Sequence, residues 1–147
     1  MKIKGTSGDD YLFGSEGRDT IKGGRGNDTI DGQLGRDKLF GGQGQDTFIL
    51  SYGDAVDRIV DFNPRQDTIA VYHGAILDDF FPNVTLGSDK GPVTFNTAPG
   101  VQDDFDFSYR NGVLRYDYDG AAPFPALPIA KLASGLHGVE DAIDLFA

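Results

Sequence analysis

The chain contains no cysteine and no tryptophan, one methionine and two histidines among its 147 residues. Without cysteine there is no disulfide scaffold, no cysteine-ligated zinc and no thiol nucleophile. Two histidines are too few for a histidine-rich metal site. No apolar run approaches the roughly 18 residues of a transmembrane helix, and the amino terminus lacks a secretory-signal pattern. Glutamate is nearly absent: of 23 acidic residues only Glu16 and Glu140 are Glu. Aspartate is a poor helix former but is favoured in turns and is a hard oxygen ligand, so the charge is expected in turns and around cations rather than on helices. Proline is missing before Pro64. The formal net charge of −10 argues against nucleic acid as a partner. Hydrophobic residues at 39% and aromatics at 12% argue against disorder, and the length suits one domain or two small ones.

What the chain does have is glycine, 21 residues of it, in a strict period. Residues 5–49 divide without a gap into five nonapeptides: GTSGDDYLF, GSEGRDTIK, GGRGNDTID, GQLGRDKLF and GGQGQDTFI. Position 1 is always glycine, from Gly5 to Gly41. Position 4 is always glycine (Gly8, Gly17, Gly26, Gly35, Gly44) and position 6 always aspartate (Asp10, Asp19, Asp28, Asp37, Asp46). Position 8 is always a large apolar residue (Leu12, Ile21, Ile30, Leu39, Phe48), and Ile3 is in phase as the tail of an earlier repeat. The first six positions predict a turn and the last three a short strand with its middle side chain inward. Two nonapeptides then make one coil of about 18 residues, and alternate repeats stack as parallel strands about 4.8 Å apart.

Stacking brings each position-6 carboxylate near its counterpart two repeats on, pairing Asp10 with Asp28, Asp19 with Asp37 and Asp28 with Asp46. Like charges repel, and glycine-rich turns leave carbonyl oxygens without partners. A hard dication taking about 6–8 oxygens answers both, and calcium tolerates irregular shells better than magnesium. At least three calcium ions are therefore expected, on the aspartates and on the turn glycines Gly8, Gly17, Gly24, Gly26, Gly35, Gly42 and Gly44. The competing reading is a glycine-rich solenoid whose aspartates serve only as turn acceptors. Asparagine would then substitute freely at position 6, and it does not.

These nonapeptides resemble the calcium-binding repeats of the RTX (repeats-in-toxin) family, with consensus GGxGxDxUx. The resemblance covers about a third of the chain and implies an all-β fold, a right-handed parallel β-roll. It also implies a bacterial extracellular protein exported by type I secretion machinery and folding on calcium outside the cell. Thr6, Ser15 and Gln33 replace the second consensus glycine. They suit the turn less well, so weaker binding is expected at the even-numbered turns.

Composition shifts after the repeats: 13 of the 17 aromatics lie beyond residue 49. Residues 1–49 are read as the roll and 50–147 as a β-rich capping region ending in a C-terminal secretion signal, the two forming one continuous domain. The stretch from Asp57 to Val71, DRIVDFNPRQDTIAV, resembles the cap that follows such repeats in secreted proteases and alginate epimerases. Within it Ile59, Phe62 and Ile69 are expected in the core. Asp57 and Asp67 are candidates for a further calcium site, or ordinary turn and strand-end acids. Alternation on both sides of Asn111-Gly112 predicts a hairpin, and Ile129–Leu132 one more strand. Asp117-x-Asp119-Gly120 has the look of a calcium loop without the glutamate an EF-hand needs, so a strand-end turn is preferred. Helices should be few, with a short turn at 138–144, and the acidic, apolar tail VEDAIDLFA resembles a type I export signal.

No catalytic constellation is present. H-E-x-x-H and G-x-S-x-G are both absent, removing the zinc proteases and lipases that often carry such repeats. His73 and His137 read as loop or strand-end histidines, and aspartate pairs such as Asp78-Asp79 and Asp103-Asp104 are too common to be informative. The chain is expected to be non-catalytic, a monomer, and a truncated piece because it starts in mid-repeat.

Charge divides unevenly. Residues 1–49 balance at −1 and residues 50–147 at −9, so three calcium ions would take the repeat half to +5 and the whole chain to −4. Six of the seven bases before residue 50 (Lys2, Lys4, Arg18, Lys22, Arg36, Lys38) fall on the even side of the stack, with Arg25 alone on the odd side. Lys4, Arg18, Lys22, Arg36 and Lys38 are thus a candidate anion-binding face. They suit an acidic polysaccharide, as in the accessory R-modules of alginate epimerases that the chain resembles, or they are solvated charge balancing nearby acids.

Overall fold

The computed structural model describes residues 1–51, 55–72, 106–117, 127–137, 139 and 143–146. Among these there are twelve strands and no helix. Repeat by repeat the chain forms β1 (Lys2–Lys4), β2 (Tyr11–Phe13), β3 (Thr20–Arg25), β4 (Thr29–Asp31), β5 (Lys38–Gln43) and β6 (Thr47–Ser51). Beyond the repeats follow β7 (Asp57–Ile59), β8 (Thr68–Tyr72), β9 (Asp106–Arg110), β10 (Val113–Asp117), β11 (Leu127–Lys131) and β12 (Ile143–Phe146).

The nonapeptide period fixes the register. Ile3 lies beside Ile21, Ile21 beside Leu39 and Leu39 beside Ile59, all in parallel pairs. On the opposite sheet Leu12, Ile30, Phe48 and Ile69 form the matching row, extended by Ile143. The result is a parallel β-solenoid of two facing sheets, ordered β1-β3-β5-β7-β11-β10-β9 and β12-β8-β6-β4-β2. Ile21, Ile30, Leu39, Phe48 and Ile69 are fully buried, each contributing about 1.5–3 kcal/mol of burial free energy, while Ile3 and Leu12 at the first coil are only partly covered.

Parallel stacking runs past the repeats. β7 and β8 continue the two sheets with spacings of 20 and 21 residues in place of 18. The first sheet then turns mixed, because β11 joins β7 in parallel and the β9–β10 hairpin adds antiparallel strands. The hairpin turn carries Asn111 at φ 54° and Gly112 at φ 77°, the double left-handed geometry that Asn-Gly supplies at little cost. Phe62 packs edge-on against Phe48 at 6.1 Å and so joins the post-repeat segment to the solenoid core.

Three expectations need revision. β3 and β5 are six residues long, not three, because Gly24–Arg25 and Gly42–Gln43 keep pairing around the corner. Arg25 therefore sits at the far end of a strand of the first sheet. The tail at 143–146 is strand β12, parallel to β8, so the last two residues of the turn expected at 138–144 are strand, and residues 138 and 140–142 of it lie outside the described residues. The readings placed on His73, Asp78, Asp79, Asp103, Asp104, Asp119 and Gly120 lie outside the described residues.

Candidate metal centre

Each position-6 aspartate ends a turn and opens a strand, and the backbone and side chain of that residue serve the coil on either side. In one row Asp10 N–H donates to Asp28 Oδ1 at 2.9 Å, Asp28 N–H to Asp46 Oδ1 at 3.0 Å, and Asp46 N–H to Asp67 Oδ1 at 3.2 Å. In the other, Asp19 N–H donates to Asp37 Oδ1 and Asp37 N–H to Asp57 Oδ1, both at 2.8 Å. The carbonyls of Asp10, Asp19, Asp28, Asp37 and Asp46 accept from Thr29, Lys38, Thr47, Arg58 and Thr68. Asp57 and Asp67 thus occupy the next rung of each row, despite the irregular spacing. Asp28 and Asp46 are each 1% exposed, and the whole set from Asp19 to Asp67 is buried.

The second carboxylate oxygen decides what a rung can do. Asp28 Oδ2 and Asp46 Oδ2 are buried and have no hydrogen-bond partner. Both lean over the first glycine of their own turn. A Cβ on Gly23 would meet Asp28 Oδ2 and the Gly41 carbonyl oxygen, both closer than 3.0 Å, and one on Gly41 would meet Asp46 Oδ2. Carbonyl oxygens also project along the stack: those of Thr6, Gly8, Gly17, Gly24 and Gly26 lie under 3.0 Å from where a Cβ would stand on Gly24, Gly26, Gly35, Gly42 and Gly44. Those five glycines hold φ between +105° and +138°, a conformation that only glycine adopts readily.

Electrostatics follow from this burial. Desolvation pushes the carboxyls of Asp28, Asp46 and Asp67 above the ordinary aspartate range, and neighbouring acids add to it: Asp10 and Asp9 for Asp28, Asp67, Asp28 and Asp61 for Asp46, Asp61 for Asp67. Asp19 is moved the other way, chiefly by its hydrogen bond from the Met1 ammonium. Buried carboxylate oxygens with no donor are costly unless something positive reaches them. The donor set is all oxygen, which fits a hard cation. Among the described residues no three carboxylate or histidine side chains converge on one point. A cation here would accordingly draw on one or two aspartates and complete its shell with turn carbonyls.

The remaining candidates sort by position. Lys4, Lys22 and Lys38 lie exposed on the outer face of the first sheet, with Lys4 directly opposite Lys22. Phe40 stands between Lys22 and Lys38, whose ammonium groups lie 5.0 and 5.1 Å from its ring centre. Arg18 and Arg36 belong to the turns of one row, off the sheet. Sequence reasoning missed that the same face continues: Arg58 lies opposite Lys38, Lys131 opposite Arg58, and Arg115 one strand further, two residues along from the Val113 that faces Lys131. It also missed Asp61, which accepts from Gly41 N–H at 3.0 Å, and Asn63, whose N–H donates to Asp67 Oδ2 at 2.8 Å. For Asn63 a signal existed in its place four residues before Asp67, the offset of Thr6 from Asp10.

The family model of the RTX calcium-binding nonapeptide repeat (four copies) matches residues 4–39 and again 13–48. No curated protein sequence matches the chain. Among solved structures the chain is similar to the AlgE6R3 subunit of the Azotobacter vinelandii mannuronan C5-epimerase, at 26% identity and a TM-score of 0.44 over 95% of this chain and 79% of that one. It is similar also to the AlgE6R2 subunit of the same enzyme, at 25% identity and a TM-score of 0.44 over 97% and 91% of the two chains.

Proposed function

We propose, from the match of residues 4–48 to the RTX calcium-binding nonapeptide repeat, that the chain is a non-catalytic module that folds on binding extracellular calcium and supports type I export of a bacterial protein. One observation carries the reading: Asp28 Oδ2 and Asp46 Oδ2 are buried without a hydrogen-bond donor, in a row whose other polar groups are matched coil to coil. Bound calcium supplies positive charge and oxygen ligation to such groups. Asp28, Asp37, Asp46, Asp57 and Asp67 are the carboxylates on which it would draw, with the carbonyls of the glycine turns; Asp10 and Asp19, the other two expected, already accept two donors each at Oδ2. Without a cation these residues oppose folding, because the rows hold ionised groups at close range in a dry setting. The chain is then held open at low calcium and collapses to the solenoid at high calcium. Circular dichroism during a calcium titration tests this, with magnesium as control. A coil-to-β transition with calcium alone is expected; a chelator-indifferent folded chain would refute it.

A second reading is favoured by the outer face of the first sheet. Three basic pairs sit directly opposite one another there, Lys4 with Lys22, Lys38 with Arg58 and Arg58 with Lys131. Like charges at cross-strand distance destabilise a sheet, and among the described residues no carboxylate forms an ion pair with them. Such a strip suits a linear anionic polysaccharide lying across the strands. Retention of the calcium-loaded chain on a uronate polymer should fall with salt and with the double change Lys22→Glu and Lys38→Glu. Salt-independent retention, or none, would end this reading.

A further inference from the structure

Position 2 of the turn takes two forms in this chain. Gly24, Gln33 and Gly42 hold positive φ (129°, 64° and 108°). Thr6 and Ser15, at the same position, do not, and neither does Asn63 at the corresponding place before Asp67. The consequence is a change in where the position-2 N–H points. Thr6 N–H and Oγ1–H both donate to Asp10 Oδ2, at 2.6 and 2.9 Å. Ser15 N–H and Oγ–H donate to Asp19 Oδ2 at the same two distances. Asn63 N–H donates to Asp67 Oδ2. Where position 2 is left-handed this does not happen: Gln33 N–H turns back to Asp31 Oδ1 at 2.8 Å, and Asp28 Oδ2 and Asp46 Oδ2 receive no donor at all.

We propose that the handedness of position 2 sets whether its turn offers calcium a free carboxylate oxygen, and that Thr6 and Ser15 make the first rung of each row a metal-independent, hydrogen-bonded end. This rests on the calcium reading above. Each oxygen of an ionised carboxylate has about two lone-pair sites. At Asp10 and Asp19 the two sites of Oδ2 are filled by one residue's amide and hydroxyl, so a cation would have to displace two charge-assisted hydrogen bonds to ligate there. In the row Asp10, Asp28, Asp46, Asp67, a closed first rung precedes two open ones, and at the last Asp67 Oδ2 accepts one N–H, from Asn63. The cation-dependent part of that row is centred on its interior, and its amino end is completed by the chain itself. Thr6 and Ser15 are thus not poorer versions of glycine at a calcium turn. They replace what the cation does for the carboxylate with two donors held in place.

Calcium stoichiometry tests the proposal, measured by native mass spectrometry and by titration calorimetry on the full chain. The double variant Thr6→Gly, Ser15→Gly restores the freedom to take positive φ and removes both hydroxyls. It should bind at least one more calcium per chain, or tighten the weakest site by about tenfold or more. Thr6→Ser keeps both donors and should bind as the parent does. In the calcium-loaded parent chain the Thr6 and Ser15 amide protons should be shifted far downfield and protected from exchange, as donors to a carboxylate are. This second measurement does not depend on the variants folding. A folded double variant with parental stoichiometry and affinities, or parent amides without the downfield shift, would overturn the proposal. A parent chain that binds no calcium would instead overturn the reading on which it rests.

Discussion

Replacing Asp28 by asparagine should shift stability in opposite directions with and without calcium. In the metal-free chain Asp28 Oδ2 is buried beside the Gly41 carbonyl oxygen, both crowding the first glycine of the turn, and nothing donates to it. A buried polar group left unmatched costs about 1–3 kcal/mol, and more when charged. Asparagine keeps Oδ1, which accepts from Asp10 N–H, and puts a neutral N–H₂, a donor, where the partnerless Oδ2 was. The charge, its repulsion from Asp10 and Asp9, and the missing donor are removed together. Asp28→Asn should stabilise the metal-free solenoid by about 2 kcal/mol, roughly 30-fold in its folding equilibrium. In calcium the variant loses an anionic hard ligand, and affinity at that site should fall by about tenfold or more. Urea unfolding followed by circular dichroism measures both arms, one in chelator with enough osmolyte to bring the metal-free transition into range, one in saturating calcium. If Asp28→Asn lowers stability in chelator, or raises it in both conditions, the oxygen is not an uncompensated charge and the reasoning fails. The same change at Asp46 should act alike, but not additively, because Asp28 N–H donates to Asp46 Oδ1.

In chelator, stability should depend on pH with an inverted sign. Asp28, Asp46 and Asp67 have folded-state pKa values raised first of all by burial, so their penalty is absent at low pH and grows as pH rises through those raised values. The metal-free chain should therefore gain β-signal on acidification from neutrality, whereas Asp19, lowered by the Met1 ammonium, pulls weakly the other way. Gly23→Ala should cost about 1–3 kcal/mol because its Cβ runs into Asp28 Oδ2 and the Gly41 carbonyl, while Gly17→Ala, with nothing within 4 Å, should stay within about 0.5 kcal/mol of the parent in thermal unfolding. Phe48→Ala empties a fully buried site that also holds Phe62, and should cost about 3–5 kcal/mol with loss of protection in residues 59–62 by hydrogen exchange.

The solenoid was legible because one period served three purposes at once, placing glycines in turns, aspartates in rows and apolar residues in the core. Leu12, Ile30 and Phe48 could be stacked on paper and stack that way in the molecule. Asp57 and Asp67 were visible as candidates, but the partners of their carboxylates were not, since spacings of 20 and 21 break the arithmetic. Thr6 and Ser15 were read as residues ill-suited to a glycine turn; what decides their effect is the direction of one N–H bond, which composition does not encode. The basic face was half legible. Lys4, Lys22 and Lys38 follow from the period, whereas Arg58, Lys131 and Arg115 join it only through non-local pairing of β7, β11 and β10.

The aspartate rows have a polarity. After the first rung of each row, Oδ1 accepts from the aspartate one coil nearer the amino end: Asp67 serves Asp46, Asp46 serves Asp28, and Asp28 serves Asp10. A coil thus presents its amide to a carboxylate that arrives with the coil after it. Tension applied at the amino end peels off a donor and leaves the next carboxylate facing outward, still attached to an intact stack. Tension applied at the carboxyl end withdraws the acceptor and strands an amide on the coil that remains. The side-chain bonds lost on peeling a coil therefore differ between the two ends, whereas the backbone bonds from Thr29, Thr47 and Thr68 to the carbonyls of Asp10, Asp28 and Asp46 run the opposite way.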